Sequence, residues 1–106
     1  MFARSVTIRL KPNAAAKFSR AMEEEGMPRL RKQAGFQEQI TLLAPAGREA
    51  VAISLWDRKE DADAHGQTGY PEMLRALGDV VEGVPHVRNY EVCQSSLHHF
   101  AAAVTA

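Results

Sequence analysis

Residues 4–10, Arg-Ser-Val-Thr-Ile-Arg-Leu, alternate apolar and polar positions. Val6, Ile8 and Leu10 share one side and Ser5, Thr7 and Arg9 the other, which predicts a strand. Lys11-Pro12-Asn13 ends it, because Pro cannot donate to a ladder and Asn is a good helix N-cap. From residue 14 to 25 the period becomes helical. Ala14, Phe18, Ala21, Met22 and Glu25 fall along one side, while Lys17, Arg20, Glu23 and Glu24 are solvated. Gly26 and Pro28 interrupt this helix, and a short second one is predicted over residues 28–33, closed by Ala34-Gly35.

Phe36 to Leu43 is the second predicted strand, with Phe36, Glu38, Ile40 and Leu42 alternating with Gln37, Gln39, Thr41 and Leu43. Ala44 to Arg48 holds both Pro and Gly and has the size of a hairpin loop. Glu49 to Trp56 is the third strand and is apolar on both faces: Val51, Ile53 and Leu55 on one, Ala50, Ala52 and Trp56 on the other, with Ser54 among them. Asp57 and Glu60 have the spacing of a capping box, so a helix is predicted through Ala62, Ala64 and His65. Gly66 and Gly69 break it, and Tyr70-Pro71 restarts it. Met73, Leu74, Leu77, Val80 and Val81 then form a helical apolar stripe that reaches Gly83. His86 to Ser95 is the fourth strand. Residues 97–106 form a tail without a strong pattern.

The order strand–helix–strand–strand–helix–strand predicts one α+β domain over residues 1–96, a ferredoxin-like fold with a four-stranded antiparallel sheet. In that fold the helices cover one face of the sheet. An antiparallel sheet with one wet face should alternate apolar and polar residues, and the third strand does not. The uncovered face therefore calls for a second copy of the chain, sheet against sheet about a two-fold axis. The alternative is a monomer whose third strand is merely central.

The chain has 106 residues, enough for one domain. Lys plus Arg equals Asp plus Glu, so the formal net charge is zero. That excess-free balance argues against a nucleic-acid or membrane-surface partner. Cys93 is the single cysteine, which excludes an internal disulfide and fits a reducing, cytoplasmic setting. Met1 to Leu10 lacks the uninterrupted apolar segment of a secretory leader, and no stretch approaches the roughly 20 apolar residues of a membrane span.

Four features resemble the dimeric α+β barrels similar to antibiotic-biosynthesis monooxygenases. These are the first strand running into Pro12, Gly35-Phe36 opening the second, Ser54-Leu55-Trp56-Asp57 followed by Glu60-Asp61-Ala62 and His65, and a closing strand with Tyr90-Glu91-Val92. The resemblance spans residues 3–96. It implies a homodimer, and an activity within a family that includes cofactor-independent monooxygenases of phenolic or quinol-type aromatics and haem-degrading enzymes. The haem-degrading branch is matched least. Its first-strand asparagine falls near Thr7 or Ile8, its helix tryptophan at His65 and its histidine near Arg75, and none is kept. No cofactor is therefore implied.

His65 is the candidate catalytic residue, a base toward a phenol, since an imidazole titrates near neutrality. The plainer alternative is a histidine on the helix surface or against a partner. Trp56 and Tyr70 are candidates for the walls of a substrate pocket, or else core and interface anchors. Gly66 to Gly69 could gate such a pocket or be a plain loop. Arg9 could bind an acidic substrate or pair with a carboxylate on a neighbouring strand. No metal site is expected: His98 and His99 are adjacent and point apart on an extended chain. Cys93, within a strand, reads as a buried hydrophobe. Two functions remain open, a cofactor-independent monooxygenase acting on a small aromatic or hydrophobic molecule, and a non-catalytic dimeric module that binds a ligand or is structural.

Overall fold

The computed structural model describes residues 1–96. Strands β1 (Phe2–Leu10), β2 (Phe36–Leu43), β3 (Glu49–Trp56) and β4 (Val81–Glu91) form one antiparallel sheet in the order β2-β3-β1-β4. Helix α1 (Ala15–Ala21) runs through a π-helical turn, Met22–Gly26, into α2 (Met27–Arg31) between β1 and β2. Helices α3 (Lys59–Gln67) and α4 (Gly69–Ala76) connect β3 to β4. The chain thus has the expected ferredoxin-like α+β fold.

The helices pack on the side of the sheet that carries Phe2, Val6, Ile8 and Leu10 of β1 and Ala50, Ala52, Ser54 and Trp56 of β3, all buried. Two apolar clusters form there. The larger joins Val6, Ile8, Leu10, Phe18, Met22, Leu77 and Val80; the smaller joins Phe2, Leu30, Trp56 and Ala62, with Phe36 against it. On the opposite face Ile40 lies in register with Ile53, and Leu42 with Val51. Ile40, Leu42 and Tyr90 remain 43–50% exposed. The larger aliphatic side chains of β3 therefore point away from the helices.

Several boundaries differ from the sequence reading. Asn13 is not an N-cap: it takes a positive φ of 60°, and Ala14 occupies the cap position with no side-chain hydrogen bond. Gly26 and Pro28 do not break the first helix. The Met27 N–H bonds back to the Met22 carbonyl, five residues away, and the widened turn accommodates the proline ring. A bulge between Phe36 and Glu38 turns Phe36 toward Trp56, on the helix side, so Phe36 does not share a face with Ile40 and Leu42. The Asp57 capping box does not form; Asp57 Oδ1 accepts from Gln37 Nε2, and Arg58 occupies the cap position. The second helical run ends at Ala76, because Val80 drops into the core from a turn and Val81 opens β4. Pro85 lies inside β4, which is tolerable on an outer strand. Cys93 follows the end of β4 and is exposed, not buried within it. The tail from residue 97, with His98 and His99, lies outside the described residues.

Gly35 is a required glycine. Its φ is +76°, and a Cβ there would overlap the Asp61 carboxyl, where the turn into β2 meets α3. Gly35→Ala is expected to lower stability by about 1–3 kcal/mol, read as a lower urea midpoint at unchanged slope.

Candidate functional site: a polar rung beneath a cavity

The strand registers place four polar residues at one level across the helix side of the sheet. Gln39 of β2 pairs with Ser54 of β3, Ser54 with Arg4 of β1, and Arg4 with Asn89 of β4. This rung separates the two apolar clusters: Phe2 and Trp56 lie to one side of it, Val6 and Ala52 to the other. A guanidinium placed among apolar neighbours must be hydrogen-bonded. Arg4 Nε donates to Asn89 Oδ1 (2.8 Å), Nη1 to the Ala62 carbonyl (2.5 Å) and Nη2 to Asp63 Oδ1 (2.9 Å). Its side chain is 12% exposed. Ser54, next to Arg4 in the rung, is tied differently. Trp56 Nε1 donates to Ser54 Oγ (2.9 Å), whose hydroxyl reaches the Arg4 carbonyl.

Two glycines of the α3–α4 junction leave room for the side chains of Arg4 and His65. A Cβ at Gly66 would stand 2.6 Å from Arg4 Nη1, and one at Gly69 would stand 2.6 Å from His65 Cδ2. Thr68 separates the helices, and its hydroxyl bonds back to the Ala64 carbonyl. The His65 ring stacks at a tilt on Trp56, with centroids 5.1 Å apart.

Above the rung lies a cavity of about 60 Å³. Its polar lining is Arg4, Arg29, Gln39, Ser54, His65 and Tyr70. Its apolar walls include Val6, Ile8, Ala52, Met22, Met73 and Leu77. The tips of Met22 and Met73 both lie beside Gly26, within 3.4 Å of where a Cβ would stand. An open hollow of about 390 Å³ adjoins it, lined by Arg4, Asp63, Gly66, Gln67, Tyr70 and Val87. Arg4 and Tyr70 line both spaces.

The charges are set by burial and by Arg4. Burial, and secondarily the Arg4 charge, holds the His65 imidazole below its ordinary value of 6.5, so the ring is neutral at pH 7. Burial raises the Tyr70 phenol, with Arg4 opposing. Asp63 is held below the usual carboxylate range, first by its hydrogen bond from Lys59 Nζ (2.7 Å) and also by Arg4. Among the described residues no group of three or more His, Cys, Asp or Glu could hold a metal ion, and no helix is long and apolar enough to cross a membrane.

Of the residues singled out in the sequence, His65 and Tyr70 meet at the cavity. Trp56 does not line it; fully buried, it supports His65 from below. Arg9 is on the opposite face, exposed, in register with Glu49 and Glu82. That placement removes it from the pocket and gives it carboxylate neighbours. The residue missed was Arg4. Its signal was phase: it lies two and four positions before Val6 and Ile8, and so on the core side of β1. Ser54 carried the same signal, two and four positions after Ala52 and Ala50, whereas Gln39 did not, because the bulge before Glu38 sets its side.

No family model matches the chain, and no curated protein does. Solved structures do match. A Nitrosomonas europaea protein of unknown function superposes with a TM-score of 0.77 at 15% identity, covering 93% of this chain and 95% of its own. A monooxygenase of Streptomyces coelicolor, solved in complex with nanaomycin D, gives 0.75 at 16% identity, covering 92% of each chain. An antibiotic biosynthesis monooxygenase gives 0.72 at 14%, covering 89% of this chain and all of its own. At these identities the likeness is one of fold: the chain has the ferredoxin-like fold of the antibiotic biosynthesis monooxygenase domain proteins.

The His65 environment is directly testable. Its NMR titration midpoint should fall below 6.5 and rise, without reaching 6.5, in Arg4→Met, because burial remains. The unfolded chain takes up the proton first. This site's stability is therefore complete above pH 6.5 and is lost as pH falls toward and through the folded midpoint.

Proposed function

We propose that the protein is a homodimeric, cofactor-independent monooxygenase of a small aromatic or hydrophobic molecule, with His65 as the base. The observation that carries this reading is a histidine held neutral in the lining of a mostly apolar cavity, in a fold shared with a monooxygenase that binds nanaomycin D. A neutral imidazole can accept a phenol's proton, the step that makes the ring electron-rich enough to meet oxygen. With a simple phenol as substrate, one oxygen atom of O₂ enters the ring, which ends as a quinone, and the other leaves as water. Tyr70 forms one wall, and Met22 and Met73 are flexible enough to retreat before a ring. The lone cysteine and neutral charge balance support a cytoplasmic setting without nucleic-acid or membrane partners.

The dimer is supported by the uncovered sheet face with Ile40, Leu42, Val51, Ile53 and Leu55. Apolar burial contributes about 25 cal/mol per Å², and an interface of standard size, about 1,600 Å², is within reach of one sheet face. Purified protein should sediment at twice 11.7 kDa, and Ile53→Lys should shift it to monomer.

A second reading, a ligand-binding or structural module without turnover, is favoured by one observation: the inner cavity is small, and two methionine tips occupy its wall. Oxygen uptake with a panel of phenols and quinols separates the two. The oxygenase reading expects uptake that His65→Ala lowers by about 10²–10⁴-fold. Ligand-induced thermal stabilisation with no uptake favours the module.

A further inference from the structure

We propose that Arg4 selects, among small aromatic molecules entering the cavity, those that carry a carboxylate, and that Asp63 is the internal stand-in for that group. This rests on the reading of the cavity as an aromatic-ligand site. Arg4 lines both the inner cavity and the outer hollow. A guanidinium has five N–H donors, and only three contact protein acceptors among the described residues, those of Asn89, Ala62 and Asp63. Two of these acceptors, an amide oxygen and a peptide carbonyl, are neutral, and they orient the fork without cancelling its charge. The third, Asp63, is an outer residue whose side chain is 40% exposed, and it is shared with Lys59 four residues earlier.

That sharing is what makes the site exchangeable. Asp63 has a second cationic partner 2.7 Å away, so a ligand carboxylate that displaces it from Arg4 does not strand an unpaired charge. With Asp63 held by Lys59, the Arg4 charge is freed for a ligand anion, while Arg29, the other guanidinium lining the cavity, keeps its own partner in Glu72. A carboxylate fits the planar donor fork of arginine. The ring of the same molecule would lie toward Met22, Met73 and Leu77, with a hydroxyl near His65 and the amide of Gln39 at the same level. A structural clamp joining α3 to β1 and β4 would use the same three bonds. It would show no preference between an acid and its amide.

The test is binding, read by calorimetry and thermal shift on the full chain, with the three hydroxybenzoate isomers and the corresponding hydroxybenzamides as probes. At least one acid should bind more tightly than its amide. Asp63→Asn should tighten the acid by roughly two- to fivefold, as removal of a partly exposed competing charge would, and leave the amide unchanged. Arg4→Met should erase the preference. Should Arg4→Met fail to fold, Asp63→Asn decides alone, since it alters only an outer side chain. Equal binding of acid and amide, no binding by any isomer, or acid affinity unchanged in Asp63→Asn overturns the proposal. Acid-selective binding without oxygen uptake would remove the oxygenase and leave this inference standing. Uptake with no preference for acids would do the reverse.

Discussion

A positive charge on the core side of an inner strand constrains everything around it. Arg4 lies between Phe2 and Val6 in β1, facing the helices, and its head cannot be left unpaired there. Asn89 is supplied by the neighbouring strand, and the other two acceptors come from α3, which fixes where that helix sits against the sheet. Gly66 follows from the same demand, because any side chain at that position would strike the guanidinium. His65 is then delivered onto Trp56, and the cavity takes part of its polar lining from the rung that Arg4 completes.

Space for the cavity comes from an inversion in β3. The helices rest on Ala50, Ala52 and Ser54, while the larger Val51, Ile53 and Leu55 face the other way. Small residues beneath a helix layer leave a gap, which the flexible Met22 and Met73 only partly fill. One strand thus supports a pocket on one side and an apolar surface on the other.

Much of the fold was legible in the sequence. Period-two alternation located β1 and β2, a short run apolar on both faces located β3, and the turn residues between β2 and β3 gave the hairpin. The misreadings occurred where one local signal competed with another. Val80 and Val81 continued a helical stripe, yet tertiary burial drew Val80 into the core from a turn and gave Val81 to a strand. Asp57 had the spacing of a cap but found a side-chain partner in Gln37. One inserted residue before Glu38 reversed the facing of Phe36, which no alternation count can foresee. In the site, His65 and Tyr70 stood out as residue types. Arg4, Gln39 and Ser54 did not, since each is an ordinary polar residue: the phase of Arg4 and Ser54 marked only the core side, and the rung they form with Gln39 and Asn89 arises when four strands align.

The π-helical turn at Met22–Gly26 also limits how the cavity can open. A regular α-helix through this stretch would drive the Pro28 ring into the carbonyl of Glu24. The widened coil is therefore locked in place by the proline and cannot anneal into a straight rod. Along this stretch, the groups beside the cavity with the most rotatable bonds are therefore the thioether side chains of Met22 and Met73 rather than the helical backbone that carries Met22.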